Sequence, residues 1–350
     1  MKTYRFLRVR IAVLQFIFCL PSLCLAQSVL DGNSRAERPL VDNFVNLTKV
    51  FSDKSKVSFL GANYYNYLDQ KPSERDSSFV LDAHITPNYY FGDEIDDNNI
   101  NKHNWLIDLN VKIDIRILKS QFSGPIRTAS FKPGGRLHYS HPSWNKTNAD
   151  QKSGLLHSVY AGFYHFSNGQ DGNSSADNSI IRDNDTLSYI NEGHKLNVYN
   201  GSFSTNYVDL GYNLFYCLAD GLKKFHFNSN LELHYRGKNI EFDGFISRFN
   251  HSMEFNFIDM HKSRTRNALS EQWRTSLRTN IRYGNLDNLD GGLERRFDIT
   301  FLYSHKLPYT TTVSGFISVG YLGSDHYNIY LEDRFVFAKF GLSIGDFINY

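Results

Sequence analysis

Apolar and polar residues alternate along several long segments of this chain. From 105 to 117 every odd position is apolar, whereas the even positions from 108 to 116 carry aspartate, asparagine, lysine or arginine. The same two-residue period recurs at 79–86, 225–235, 275–283, 297–305 and 336–344. Alternation places all the apolar side chains of a β-strand on one face. The pattern therefore predicts an all-β protein.

The polar face of these strands indicates which kind of β protein to expect. Charged residues lie in the middle of long strands, which fits a polar lumen with the apolar face turned toward lipid. Aromatic residues make up 15% of the chain, and the chain ends on Tyr350. Both features are typical of outer-membrane barrels. We predict a transmembrane antiparallel β-barrel of the outer-membrane type. A soluble β-sandwich shows the same alternation and is the alternative.

The first 26 residues have the features of a secretory signal peptide. Four basic residues between 2 and 10 precede an apolar run at 11–25, and a small-x-small sequence ends at Ala26. The apolar run is short for a membrane-spanning helix. Removal of the signal peptide leaves one cysteine, Cys217, and therefore no internal disulfide. We expect 27–350 to form a single barrel domain, with a periplasmic segment and a first strand within 27–75.

Net charge and loop composition give information about partners and loops rather than about the fold. The formal net charge is +2, which gives no case for a nucleic-acid partner. Acidic, turn-rich stretches at 92–99 and 284–294 predict solvated loops, with calcium binding there as the minority alternative. The longest polar stretch, 170–201, is expected to be a surface loop.

Candidate chemistry lies at the end of the segment 155–167. Val159, Ala161 and Phe163 share one face of this predicted strand, and His165 and Ser167 continue the same face. A neutral imidazole is the usual base for a serine nucleophile, and its other nitrogen needs an acceptor.

The next strand offers that acceptor. Asn206 heads the apolar row of the segment 201–216, and antiparallel pairing across the long loop brings it toward His165. A polar cluster on a lipid-facing wall is costly unless it has a function. The other interpretation is ordinary turn chemistry, because Ser-Asn-Gly is common in turns and histidine is frequent at membrane interfaces.

The stretch HFSNG at 165–169 resembles the His-x-Ser-Asn-Gly motif of the outer membrane phospholipase A family. The segments 123–133 and 320–350 resemble two further parts of that family. The resemblance implies a barrel of about twelve strands with a Ser-His-Asn triad on the lipid-facing wall. It makes Ser167 the nucleophile and His165 the general base.

The same resemblance implies an oxyanion donor, a cofactor and a partner. Gly169 offers its backbone N–H to the oxyanion, and Ca²⁺ binds nearby. The implied calcium ligands are Ser123, Gln170 through its carbonyl, and Ser175. Activity in the family depends on calcium and on a homodimer. Its substrates are membrane phospholipids and lysophospholipids, cleaved at sn-1 and sn-2.

The third triad residue departs from the family spacing. The family's asparagine follows the serine by about a dozen residues, which here falls beside Asn178. Asn206 is preferred because it heads a strand in the right phase, and Asn178 is the alternative. The function predicted is a calcium-dependent phospholipase of the bacterial outer membrane. The alternatives are a non-catalytic porin-like or structural barrel and a soluble secreted β-sandwich esterase.

Overall fold

A computed structural model describes most of the strands and parts of the loops. The described residues are 55–62, 79–92, 104–118, 129–141, 146–148, 153–172, 174, 196, 201–218, 222–235, 245–262, 269–289, 292–310, 313–327, 331 and 334–344. The signal-peptide prediction for 1–26, and Ser123, Ser175 and Asn178, lie outside them. No helix in this part of the chain is long and apolar enough to cross a membrane.

Fourteen β-strand segments follow one another along the described residues, with one short 3₁₀ helix at Leu293–Arg296. The segments are β1 Ser55–Ala62, β2 Phe79–Ile85, β3 Asn88–Gly92, β4 Asn104–Leu118, β5 Ser130–Ser140, β6 Lys146–Asn148, β7 Ser153–Ser167, β8 Ser204–Cys217, β9 Lys223–Tyr235, β10 Phe249–Lys262, β11 Leu269–Tyr283, β12 Phe297–Lys306, β13 Val313–Leu322 and β14 Phe335–Ile344.

The antiparallel pairings form a closed ring. From β7 to β14 each strand pairs with the next, and β14 pairs with β1, β1 with β2, β2 with β4, β4 with β5 and β5 with β7. β2 and β3 both pair with β4, and β6 pairs with β7 as β5 does. Counting β2 with β3 and β5 with β6 leaves twelve spanning strands. The predicted transmembrane β-barrel of about twelve strands is confirmed.

The strand phase is that of a protein in lipid. On β4, Trp105, Ile107 and Leu109 are 50%, 43% and 45% exposed, whereas Asp108 and Asn110 between and beyond them are buried. On β14, Val336, Phe340 and Leu342 are likewise exposed, whereas Ser343 is buried. Apolar side chains face outward and polar ones inward because lipid, not water, surrounds the wall.

Ion pairs and apolar contacts fill the interior. Arg136 Nε on β5 lies 2.6 Å from Asp209 Oδ2 on β8, and Asp209 is 1% exposed. One apolar cluster joins β4, β7, β8 and β10. Its buried members are Leu106, Leu156, Phe215, Ile258 and Met260. The interior is therefore packed as well as polar.

A second apolar cluster lies where β7 ends and β8 begins. Its buried members are Tyr164, Phe166, Leu196, Phe203, Tyr207, Phe245, Leu286, Leu289, Tyr327 and Leu331. Loop leucines supply part of it, since Leu196 is 2% exposed and Leu286 and Leu289 are 5% and 4% exposed. The solvated-loop prediction for 284–294 and the surface-loop prediction for 170–201 are wrong at these three residues, because their side chains pack against strand aromatics.

Candidate active site

The outward face of β7 carries the candidate histidine and serine. Val159 and Phe163 are 41% and 55% exposed, whereas Tyr160, Tyr164 and Phe166 are 5% exposed or less. His165 and Ser167 share the phase of Val159 and Phe163. Both side chains therefore lie on the lipid-facing wall, at the end of the strand.

Asn206 lies directly opposite His165. The β7–β8 register pairs His165 with Asn206 and Ser167 with Ser204. His165 Nδ1 donates a hydrogen bond to Asn206 Oδ1 over 2.8 Å. Because an amide oxygen only accepts, the neutral ring carries its hydrogen on Nδ1 and leaves the Nε2 lone pair available. This is the tautomer that a general base needs.

Ser167 is the last residue of β7. Its neighbours across the sheet are Ser204 on β8 and Phe131 on β5. Among the described contacts, His165 bonds to Asn206, and no hydrogen bond joins its Nε2 to Ser167 Oγ. Ser167 and His165 are neighbours on one face of β7, and no hydrogen bond between them is made among the described contacts. Catalytic hydrogen bonds are often long without substrate.

Gly169, two residues after the serine, has an unusual backbone. Its φ is +65°, a conformation that disfavours residues with a Cβ, and it is exposed. Within the described part of the chain its amide has no acceptor. An exposed backbone N–H beside a serine at a strand end is the kind of donor that an oxyanion requires.

Aromatic side chains support this wall from inside the barrel. The rings of Tyr164 and Tyr207 stack at 5.2 Å, and the ring of Phe166 meets that of Phe203 edge-on at 4.6 Å. Asn110 donates to the Tyr164 hydroxyl over 3.0 Å. Tyr164 and Phe166 alternate with His165 and Ser167 along β7, so their packing holds the backbone of this segment. The alternation along β7 indicates that its even-numbered residues face inward. It does not indicate which aromatic rings those residues contact.

A second serine–histidine pair lies on the outer wall. Ser229 Oγ on β9 is hydrogen-bonded to His251 Nε2 on β10 over 3.0 Å. Ser229 lies mid-strand, and both neighbouring strands pair with β9 on either side of it. Backbone amides there are used in the ladders, so no donor is left for an oxyanion. Among the described residues His251 Nδ1 has no acceptor, so the pair lacks a third member.

A hydrogen-bonded series of hydroxyl, imidazole and carboxylate also links Thr86, just after β2, to β2 and β4. Thr86 Oγ1 lies 2.9 Å from His84 Nε2, and His84 Nδ1 lies 2.5 Å from Asp114 Oδ1. Thr86 is 5% exposed, so its hydroxyl is out of reach of a lipid ester. These hydrogen bonds stabilise the polar interior of the barrel.

Of the three candidate calcium ligands, the structure describes Gln170. Gln170 follows Gly169, and its amide donates to Asn168 Oδ1 over 3.2 Å. Ser123 and Ser175 lie outside the described residues, as does Asn178. The part of the chain that the structure describes holds no group of three or more His, Cys, Asp or Glu suited to a metal. The fit of calcium to this site stays a prediction.

No protein-family model matches the chain, and no curated protein sequence matches it. Among solved structures it is similar to outer membrane phospholipase A from Escherichia coli, with 13% identity, 84% of this chain and 93% of that chain covered, and a TM-score of 0.43. An active-site mutant of that protein at pH 6.1 gives 12% identity, 88% and 96% coverage and a TM-score of 0.46. The Salmonella typhi outer membrane phospholipase dimer with bound calcium gives 12% identity, 84% and 91% coverage and a TM-score of 0.45.

Proposed function

We propose that this chain is a phospholipase of the bacterial outer membrane that hydrolyses acyl esters through Ser167, His165 and Asn206. The observation that carries the proposal is the 2.8 Å hydrogen bond between His165 and Asn206 on the lipid-facing wall. A hydrogen-bonded polar pair on this face is costly to place against lipid, which favours a functional role. The resemblance of 165–169 to the family motif supports the reaction type.

The first half of the reaction acylates the serine. Ser167 Oγ attacks the ester carbonyl carbon while His165 Nε2 takes the hydroxyl proton. The carbonyl oxygen becomes an oxyanion, which the Gly169 N–H stabilises. When the intermediate collapses, the ester C–O bond breaks and the leaving alkoxide takes the proton from His165. Asn206 holds the ring in the correct tautomer throughout.

The second half releases the fatty acid. Water attacks the acyl carbon and gives a proton to His165, and Ser167 Oγ then leaves with that proton. This step needs water, which is absent from the hydrocarbon core. Ser167 suits the reaction because it ends its strand, whereas Ser229 is the seventh of thirteen residues in β9.

The uncharged third residue suits its location. An aspartate would stabilise the imidazolium more strongly, but a carboxylate facing lipid carries a large desolvation cost. Asn206 provides the acceptor without that charge.

Calcium, dimerisation and export complete the proposal. Ser123, Ser175 and the Gln170 carbonyl would hold Ca²⁺, which prefers oxygen ligands and when bound would add positive charge near the oxyanion. The homodimer, the phospholipid and lysophospholipid substrates with sn-1 and sn-2 cleavage, and the signal peptide at 1–26 follow from the sequence resemblance and pattern. The Salmonella protein to which the chain is similar is described as a dimer with bound calcium.

The deciding experiment compares two serine variants of the full chain folded in detergent with calcium. We expect Ser167→Ala to abolish release of fatty acid from phospholipid–detergent micelles, and a sulfonyl fluoride to label Ser167. The matched control is Ser229→Ala, which removes the outer-wall serine that is hydrogen-bonded to His251 and keeps full activity. Activity that survives Ser167→Ala contradicts the mechanism, and wild-type protein with no lipase activity supports the non-catalytic barrel.

A further inference from the structure

Asn168, the residue between Ser167 and Gly169, is fully buried. Its exposed fraction is 0%, although it lies in a polar turn at the end of β7. A buried amide must find partners for its oxygen and its nitrogen, because an unsatisfied one costs about 1–3 kcal/mol. Both ends of this side chain are satisfied, and its partners among the described residues are backbone groups.

The Asn168 side chain takes the place of a backbone group in the β7–β8 ladder. The Asn168 amide donates to the Phe203 carbonyl over 3.1 Å, as in a regular antiparallel pair. The reciprocal bond differs, because the Phe203 amide donates to Asn168 Oδ1 over 2.9 Å instead of to the backbone carbonyl. The side chain thus replaces the backbone carbonyl of Asn168 in this bond, and the chain can turn there.

The same side chain clamps both sides of the turn. Its Nδ2 donates to the Gly201 carbonyl over 2.7 Å. Its Oδ1 also accepts the Gln170 amide at 3.2 Å, which closes a local turn around Gly169. Gly169, between two anchored residues, takes its φ of +65° and keeps its own amide unbonded among the described residues.

We propose that Asn168 is a positioning residue that sets the Gly169 amide for oxyanion stabilisation. The inference rests on the proposed function. Asn168 acts through Gly169 and does not touch the reacting atoms, since its oxygen and nitrogen are engaged with Gly201, Phe203 and Gln170. A side chain that only ended the strand would affect folding, whereas this role affects the transition state more than substrate binding.

The test measures kcat and KM of Asn168→Ala on mixed micelles, with the fraction of folded barrel read from gel mobility. We expect kcat to fall about 100-fold with KM changed less than about twofold, as when an oxyanion donor is displaced. Asn168→Ser can still accept the Gln170 amide and should recover part of the lost kcat. If Asn168→Ala does not fold, the same comparison is made with Asn168→Ser, which must then show the kcat loss.

The matched control is Asn256→Ala. Asn256 is 1% exposed on β10, and its side chain bonds to His226 and Glu254 away from β7. We expect folded Asn256→Ala to keep wild-type kcat. A folded Asn168 variant with wild-type kcat, or one whose loss is matched by Asn256→Ala, overturns the inference. The Ser167→Ala variant distinguishes failure of this inference from failure of the proposed function. If Ser167→Ala protein is active, the proposed catalytic mechanism itself is contradicted.

Discussion

His165 and Asn206 face each other across the β7–β8 pair, and the His165 ring donates from Nδ1 to the Asn206 side-chain oxygen over 2.8 Å. Between these strands lies the long loop that follows Ser167. Antiparallel pairing of β7 with β8 brings the two residues to the same level on the lipid-facing wall. The geometry leaves His165 Nε2 on the side of the ring that a neighbouring serine can use.

Removing the Asn206 amide is expected to lower kcat without unfolding the barrel. Asn206→Ala frees the imidazole to rotate and to change tautomer, and misplacing a catalytic group costs about 100-fold. Fatty-acid release at saturating substrate measures the effect. Tyr212→Phe is the matched control, because it removes the bond between His157 and Tyr212 on the same strands and wall. Equal losses in both variants would point to a wall defect instead.

Calcium removal is expected to abolish activity reversibly. EDTA should suppress fatty-acid release, and calcium should restore it where magnesium does not, because Ca²⁺ accepts irregular oxygen sets that Mg²⁺ does not. Ser123→Ala and Ser175→Ala should each raise the calcium needed for half-activity about tenfold, since affinity follows the number of ligands. Gln170→Ala should leave it unchanged because that residue contributes its carbonyl. Activity that is insensitive to EDTA rules out the calcium prediction.

A methyl group at Gly134 is expected to destabilise the barrel behind the site. An added Cβ would lie 2.3 Å from the Tyr164 ring and 2.4 Å from the Phe163 carbonyl oxygen. Because the backbone oxygen cannot move away as a side chain can, Gly134→Ala should cost about 1–3 kcal/mol. Urea unfolding in detergent measures it. Gly315→Ala, whose Cβ comes no closer than 3.4 Å to a leucine side chain, should unfold at the wild-type midpoint.

His326 lies in the loop after β13. We expect it to lower the free energy of unfolding at acidic pH. Burial, together with nearby Arg282, Lys132 and His234, holds its pKa well below the usual 6.5, and Glu232 opposes this weakly. Arg282 Nε donates to His326 Nε2 over 2.9 Å, which requires the neutral ring. The unfolded chain binds a proton below about pH 6.5 that the folded chain does not, so stability is lost as the pH falls through that value.

Urea midpoints at pH 8 and pH 5.5 test the role of His326. The wild-type midpoint should drop at the lower pH, and His326→Gln should reduce that drop. His305→Gln, at an exposed histidine of β12, should leave the drop as in the wild type. A pH dependence unchanged in His326→Gln would show that other groups cause it.

The outward placement of His165, Ser167 and Asn206 could be predicted from the sequence. A β-strand has a period of two, so the apolar neighbours Val159 and Phe163 determine the phase of His165 and Ser167 without any contact. The number of spanning strands followed from resemblance and repeated alternation. The buried loop leucines could not be predicted, because an acidic stretch such as 284–294 has no periodicity to indicate which side chains turn inward.

The sequence by itself determined which face each strand residue takes, and only the tertiary structure decided which residues meet. Pairing His165 with Asn206 depends on a register set across a long loop by interior contacts such as the Tyr164–Tyr207 stack. The role of Asn168 depends on backbone groups 33 and 35 residues away at Gly201 and Phe203. Alternation is local and readable, whereas register and buried hydrogen bonds arise only when distant segments pack together.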